Sequence, residues 1–222
     1  MRRTSVAAAV AVCLGFTPGP ARADPARWPG SGPTARLGSA VGFSQLGDQT
    51  VTTLGGEVAL GYRLGPLVLE AAYDRLDMLQ YIADRGSNAY RGDLTRYGVA
   101  ARYYFLTLAR PGEVDPDSVL RLYAELGAGR QHGRWSSGDA FGRNDLALGA
   151  GWLLEHRMRP RPGGLPFQSI GWHFGWQLDT SRTDRIELVT ERTTCKTCGP
   201  PMPVRRDLDA SLIVSCALVA AW

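Results

Sequence analysis

From about residue 35 onward, apolar residues recur at every second position in eight separate segments. This is the period of a strand, whose side chains alternate between two faces, and not that of a helix. One face can be read segment by segment. It carries Leu37, Val41 and Phe43, then Leu54, Val58, Leu60, Tyr62 and Leu64, then Leu67, Leu69, Ala71 and Tyr73. The series continues with Tyr97, Val99, Ala101, Tyr103 and Phe105, and with Leu120, Leu122, Ala124, Leu126 and Ala128. It closes with Leu146 to Leu154, Ile170 to Leu178 and Leu212 to Trp222, each read at alternate positions. None of these positions is charged.

The opposite face decides what kind of sheet this is. It carries Gly38, Ala40, Gly42, Gly55, Ala59, Gly61, Ala72, Gly98, Ala100, Gly127, Gly129, Ala147, Gly149, Gly151, Gly171 and Gly175. Glycine weakens a water-facing strand and offers nothing to pack. It fits a crowded place, and eight strands closed on themselves leave room only for side chains. Among the small residues stand Glu57, Arg63, Glu70, Asp74, Arg102, Arg121, Glu125 and Glu155. Charges of both signs in an enclosed space must pair, because an isolated buried charge is too costly. The pattern therefore predicts an all-β fold: an eight-stranded antiparallel up-and-down transmembrane barrel, apolar toward lipid, small and ionic within. The apolar face is rich in Tyr and Trp near its ends, where aromatic girdles are expected.

Residues 1–23 read as a secretory signal peptide. Arg2 and Arg3 precede the apolar run Val6–Phe16, and Ala21-Arg22-Ala23 is a small-residue cleavage site. Residues 24–34, DPARWPGSGPT, have linker composition, and 35–222 form the expected barrel. Losing Arg2, Arg3 and Arg22 reduces the formal charge of +4 to near balance. That balance leaves no basic excess for phosphates, so a nucleic-acid partner is not expected. No apolar run is long enough to cross a bilayer as a helix. With both termini on the periplasmic side, residues 45–53, 75–96, 132–143 and 180–209 should be outer loops. Gly65-Pro66, 106–119 and 157–169 should be inner connections.

These features together resemble the small eight-stranded outer-membrane barrels, such as the transmembrane domain of OmpA-like proteins and the OmpW-like proteins. The resemblance covers roughly residues 35–222 and rests on the signal segment, the eight alternating segments and the last strand, SLIVSCALVAAW. It implies location in the outer membrane, contact with its lipid, and recognition of the last strand by the barrel-assembly machinery. In that family the strand ends in an aromatic residue, usually Phe; Trp222 holds the place here. No peptidoglycan-binding domain is expected after it. The implied role is structural or surface-interacting, with a small porin-like channel or solute-binding barrel as the alternative; a barrel-type outer-membrane enzyme ranks behind both.

Chemistry-bearing motifs are sparse. Cys195 and Cys198 form a single CxxC in the last outer loop. A structural zinc needs four ligands and export favours oxidation, so a loop disulfide is the expected pairing. Cys216 falls on the lipid face. His173 falls on the lumen face, where a general base and a hydrogen-bonded structural histidine are the two readings. His132 lies near Ser136 and Ser137, without the surroundings of a hydrolase motif. No cofactor, metal or enzyme activity is expected. The apolar stretch Leu76–Ile82 and the alternating Arg185–Val189 suggest either a capped barrel mouth or a site for an extracellular ligand at the outer loops.

Overall fold

The computed structural model describes residues 30–46, 49–80, 90–109, 117–136, 138–158, 167–187 and 208–222. Eight strands form one closed barrel in chain order. They are β1 (Ser31–Leu46), β2 (Gln49–Leu64), β3 (Leu67–Gln80), β4 (Tyr90–Ala109), β5 (Ser118–Trp135), β6 (Ala140–Arg157), β7 (Ser169–Glu187) and β8 (Leu208–Ala221). Every neighbouring pair is antiparallel, and β8 closes on β1. Closure satisfies every strand edge within the wall, which a sheet in hydrocarbon requires. The signal segment 1–23, residues 24–29 and both Cys195 and Cys198 lie outside the described residues.

The ladder is staggered. At right angles to the strands it runs Leu37, Val58, Tyr73, Tyr97, Arg130, Asn144, Arg182, Leu208. Ser211 already faces Ser44 near the far end of β1, so the path returns well above its start. Such stagger tilts the strands and fixes the barrel's width.

The two faces fall where the alternation placed them. Leu37, Leu60, Val99, Leu126, Leu146, Trp172 and Leu218 are exposed on the outer wall, 45–68% accessible. A folded chain leaves that much contiguous apolar surface open only where lipid covers it. The barrel is therefore transmembrane. At its inner end, Gly65 adopts a positive φ of 59° in the tight β2–β3 turn, a conformation glycine takes without strain.

Several boundaries differ from those the sequence suggested, and the outer loop expected over 45–53 is mostly strand, with β1 reaching Leu46 and β2 starting at Gln49. β1 begins at Ser31, so residues 31–34 are strand and not linker; the Gly32-Pro33 composition is overridden by pairing with β2. The outer loop expected over 75–96 is mostly strand, with β3 reaching Gln80 and β4 starting at Tyr90. The loop expected over 132–143 is a short turn between Trp135 and Ala140. β7 extends to Glu187, into the outer loop expected over 180–209.

Candidate functional site in the lumen

All eight charged residues expected in the lumen lie there, and they join one another in tiers. In the inner tier Glu155 lies between two guanidinium groups, 2.7 Å from Arg63 and 2.8 Å from Arg121. The Ser169 hydroxyl donates to the same carboxylate at 2.6 Å. Both arginines lie over the Tyr104 ring, which packs with Val68, Tyr123, Leu153 and Val219.

The middle tier is a chain of alternating charge. Arg36 bonds Glu57 at 2.9 Å and Glu70 at 3.3 Å. Arg102 bonds Glu70 at 3.0 Å and Glu125 at 2.6 Å. The Arg102 guanidinium also sits 4.7 Å from the Tyr123 ring centre. Tyr123 stacks on His173, and its hydroxyl is hydrogen-bonded to His173 Nε2 at 2.5 Å. Gly151 and Gly175 make this arrangement possible. A Cβ at Gly175 would meet the Tyr123 hydroxyl and lie 3.1 Å from His173 Cε1.

Above it, Arg96 serves three carboxylates, with Asp145 and Asp179 each at 3.2 Å and Asp74 at 3.7 Å. The outer tier pairs Arg143 with Asp209 at 2.7 Å. Beside it is an apolar plug: Ala40, Val51, Leu76, Met78, Leu94, Trp135, Phe141 and Ile213. Between the tiers remains a chamber of about 50 Å³, lined by Arg36, Glu57, Asp74, Arg96, Glu125 and His173 among others. That is room for a few water molecules.

The lumen is thus less uniform than a small-and-charged face suggests. Leu76 and Met78, assigned to a loop by the sequence reading, point inward and are 1% exposed. Arg36, Arg96, Arg143, Asp145, Asp179 and Asp209 also join the network, although the sequence reading did not select them. The signal was parity: Arg96 is in step with Gly98 and Arg102, and Asp179 with His173 and Gly175. Trp222 lies at the inner end, its ring edge-to-face with Phe167 at 4.8 Å. His132 faces outward and stacks on Tyr97. Among the described residues no group of three or more His, Cys, Asp or Glu side chains is arranged to hold a metal ion.

Comparison by sequence finds no matching family model and no matching curated protein. Comparison by structure finds Neisserial surface protein A, NspA, with a TM-score of 0.53 and 15% identity over 87% of this chain and 99% of that one. The shared fold is the eight-stranded transmembrane barrel. At that identity the likeness concerns the fold and does not separate OmpA-like from OmpW-like relatives. Ail, the attachment invasion locus protein of Yersinia pestis, aligns with a TM-score of 0.43 and 15% identity, over 85% of this chain and 98% of that one, in its complex with the heparin analogue sucrose octasulfate. A second Ail structure gives 0.37 at 12% identity, over 86% and 98%.

Proposed function

We propose that this protein is an integral outer-membrane barrel with a structural or surface-interaction role, and that its lumen does not pass solutes. The observation that carries this reading is the stacking of closures along the lumen. The apolar plug, the Arg96 cluster, the Arg36–Arg102 chain and the Glu155 tier follow one another. The chamber left between them holds about 50 Å³, far below what a hydrated solute path requires. The channel alternative would need these tiers to part, and each ion pair broken in so dry a place costs several kcal/mol. The enzyme alternative loses its best candidate. His173 is 2% exposed and bonded to Tyr123, so a substrate has no route to it.

A surface role agrees with that of Neisserial surface protein A as its name gives it. The loops between β3 and β4 and between β7 and β8 would present an extracellular ligand site, and Trp222 would end the strand read by the assembly machinery. Membrane fractionation with heated and unheated gels tests the barrel, and planar-bilayer recording tests the lumen. The expected result is a heat-dependent mobility shift in the outer-membrane fraction with no steady single-channel events. Steady channel events would return the porin-like reading, and a soluble periplasmic product would end both.

A further inference from the structure

The outer rim of the wall is asymmetric. On β8, β1 and β2 the outward positions near the membrane edge are Ala210, Leu212, Phe43, Thr52 and Leu54, none charged. On β3 to β7 the same zone carries Arg75, Arg91, Arg130, Arg134, Arg182 and Arg185 together with Asp77, Asp93, Asp184 and Glu187. Within it, a groove of about 380 Å³ opens across β4 to β7.

β6 forms the floor of the groove. Gly142 and Ala140 stand opposite His132 and Arg134 on one side and Arg185 and Glu187 on the other. The register shifts at Gly142/Arg143, a bulge that bends the wall there. A Cβ at Gly142 would fall 3.2 Å from Asp184 Oδ1 and 3.3 Å from Arg130 Nη2, so it would press on the Arg130–Asp184 pair at the lower edge of the groove. The lower edge is braced. Arg130 bonds Asn144 at 3.0 Å and Asp184 at 2.8 Å. Arg134 has no ion-pair partner among the described residues, and Arg185 pairs only with Glu187, at an exposed site.

Depth identifies the occupant. On β6 the order outward from the lipid face is Leu148, Leu146, Asn144, then the groove floor. The groove therefore begins two outward positions beyond the last lipid-facing leucine, at the depth of head groups. Its lining mixes two chemistries. Guanidinium groups at Arg134 and Arg185 suit a phosphate, and carboxylates at Asp93 and Glu187 accept from hydroxyls. We propose that this groove seats the phosphate-bearing sugar head group of an outer-leaflet glycolipid, its acyl chains lying along the apolar wall below. This rests on the membrane-barrel reading above.

The test uses the full mature barrel in detergent, with native mass spectrometry as the binding readout. The probes are a synthetic glucosamine-phosphate lipid, its dephosphorylated counterpart, and glucosamine 1-phosphate without acyl chains. The phosphorylated lipid should bind at least about tenfold more tightly than either other probe, as expected for charge-assisted bonds added to chain contact. R134Q/R185Q should lose that preference, R134K/R185K should keep most of it, and G142V should weaken binding with every charge in place. Equal binding of all three probes by the wild type would overturn the proposal, as would unchanged preference in both R134Q/R185Q and G142V. Equal binding of the chain-free sugar phosphate would make the groove a soluble-anion site and overturn the lipid assignment. Loss of the heat-dependent gel shift in the wild type would instead sink the membrane-barrel reading, and the lysine variant decides the matter if the glutamine variant fails to fold.

Discussion

Replacing Arg102 by Met tests whether the lumen is held by paired charge. Arg102 is 1% exposed and bonds both Glu70 and Glu125. Glu70 retains Arg36 at 3.3 Å after the change. Glu125, whose Arg102 contact at 2.6 Å is its short one, is left as a part-buried anion. Stranding one partner of a buried pair costs about 3–5 kcal/mol. The water-sized chamber beside Glu125 gives it some solvation, which places the expected loss near the lower end, about 3 kcal/mol. Loss of the contact with the Tyr123 ring adds roughly 1 kcal/mol. The folded-to-unfolded ratio should then fall on the order of a thousandfold. Adding E125Q removes the stranded charge, so R102M/E125Q should recover most of the loss even though it carries two changes. Urea unfolding in lipid vesicles, followed by tryptophan emission, measures all four members of the cycle. A loss below about 1 kcal/mol for R102M, or a double variant less stable than the single, would refute the reasoning.

Leu148 lies on the outer wall between Leu126 and Leu178, so L148R should cost about 2–4 kcal/mol and reduce insertion, as seen by the gel-shifted fraction. Normal insertion of L148R would place that face in water. G175A should destabilise by about 1–3 kcal/mol through overpacking against Tyr123 and His173. G56A, which faces outward with its nearest atom at 3.8 Å, should be close to neutral, and equal effects of the two in the same unfolding assay would contradict the tight lumen. W222F should reach the outer membrane at wild-type levels and W222A should not. Equal levels on heated and unheated gels would remove the assembly role of Trp222.

The ionic tiers also explain why glycine and charge coexist on one face. Arginine is long and planar, and the wall opposite it must be thin. Gly98 shows the limit: a Cβ there would approach Gly129 Cα to 2.9 Å across the β4–β5 ladder. Small residues make the space that guanidinium groups then fill, and the outcome is a close-packed interior and not a pore.

The sequence by itself determined the wall. The two-residue period is a local property, and a slip by one residue would turn every apolar side chain inward, so the faces of the strand segments between Leu37 and Trp222 were legible. The lumen-facing glycines and the eight charged positions followed from the same parity. Only the tertiary structure decided which charges meet, because Arg63 finds Glu155 from a strand four places along the barrel, and Arg96 gathers Asp74, Asp145 and Asp179 from three others. It also decided where strands end. Leu76, Met78, Trp135 and Phe141 read as loop residues, since nothing local distinguishes a membrane strand from its extension above the membrane. They belong to the plug because the stagger of a closed barrel carries them over its mouth, and stagger is a property of all eight strands at once.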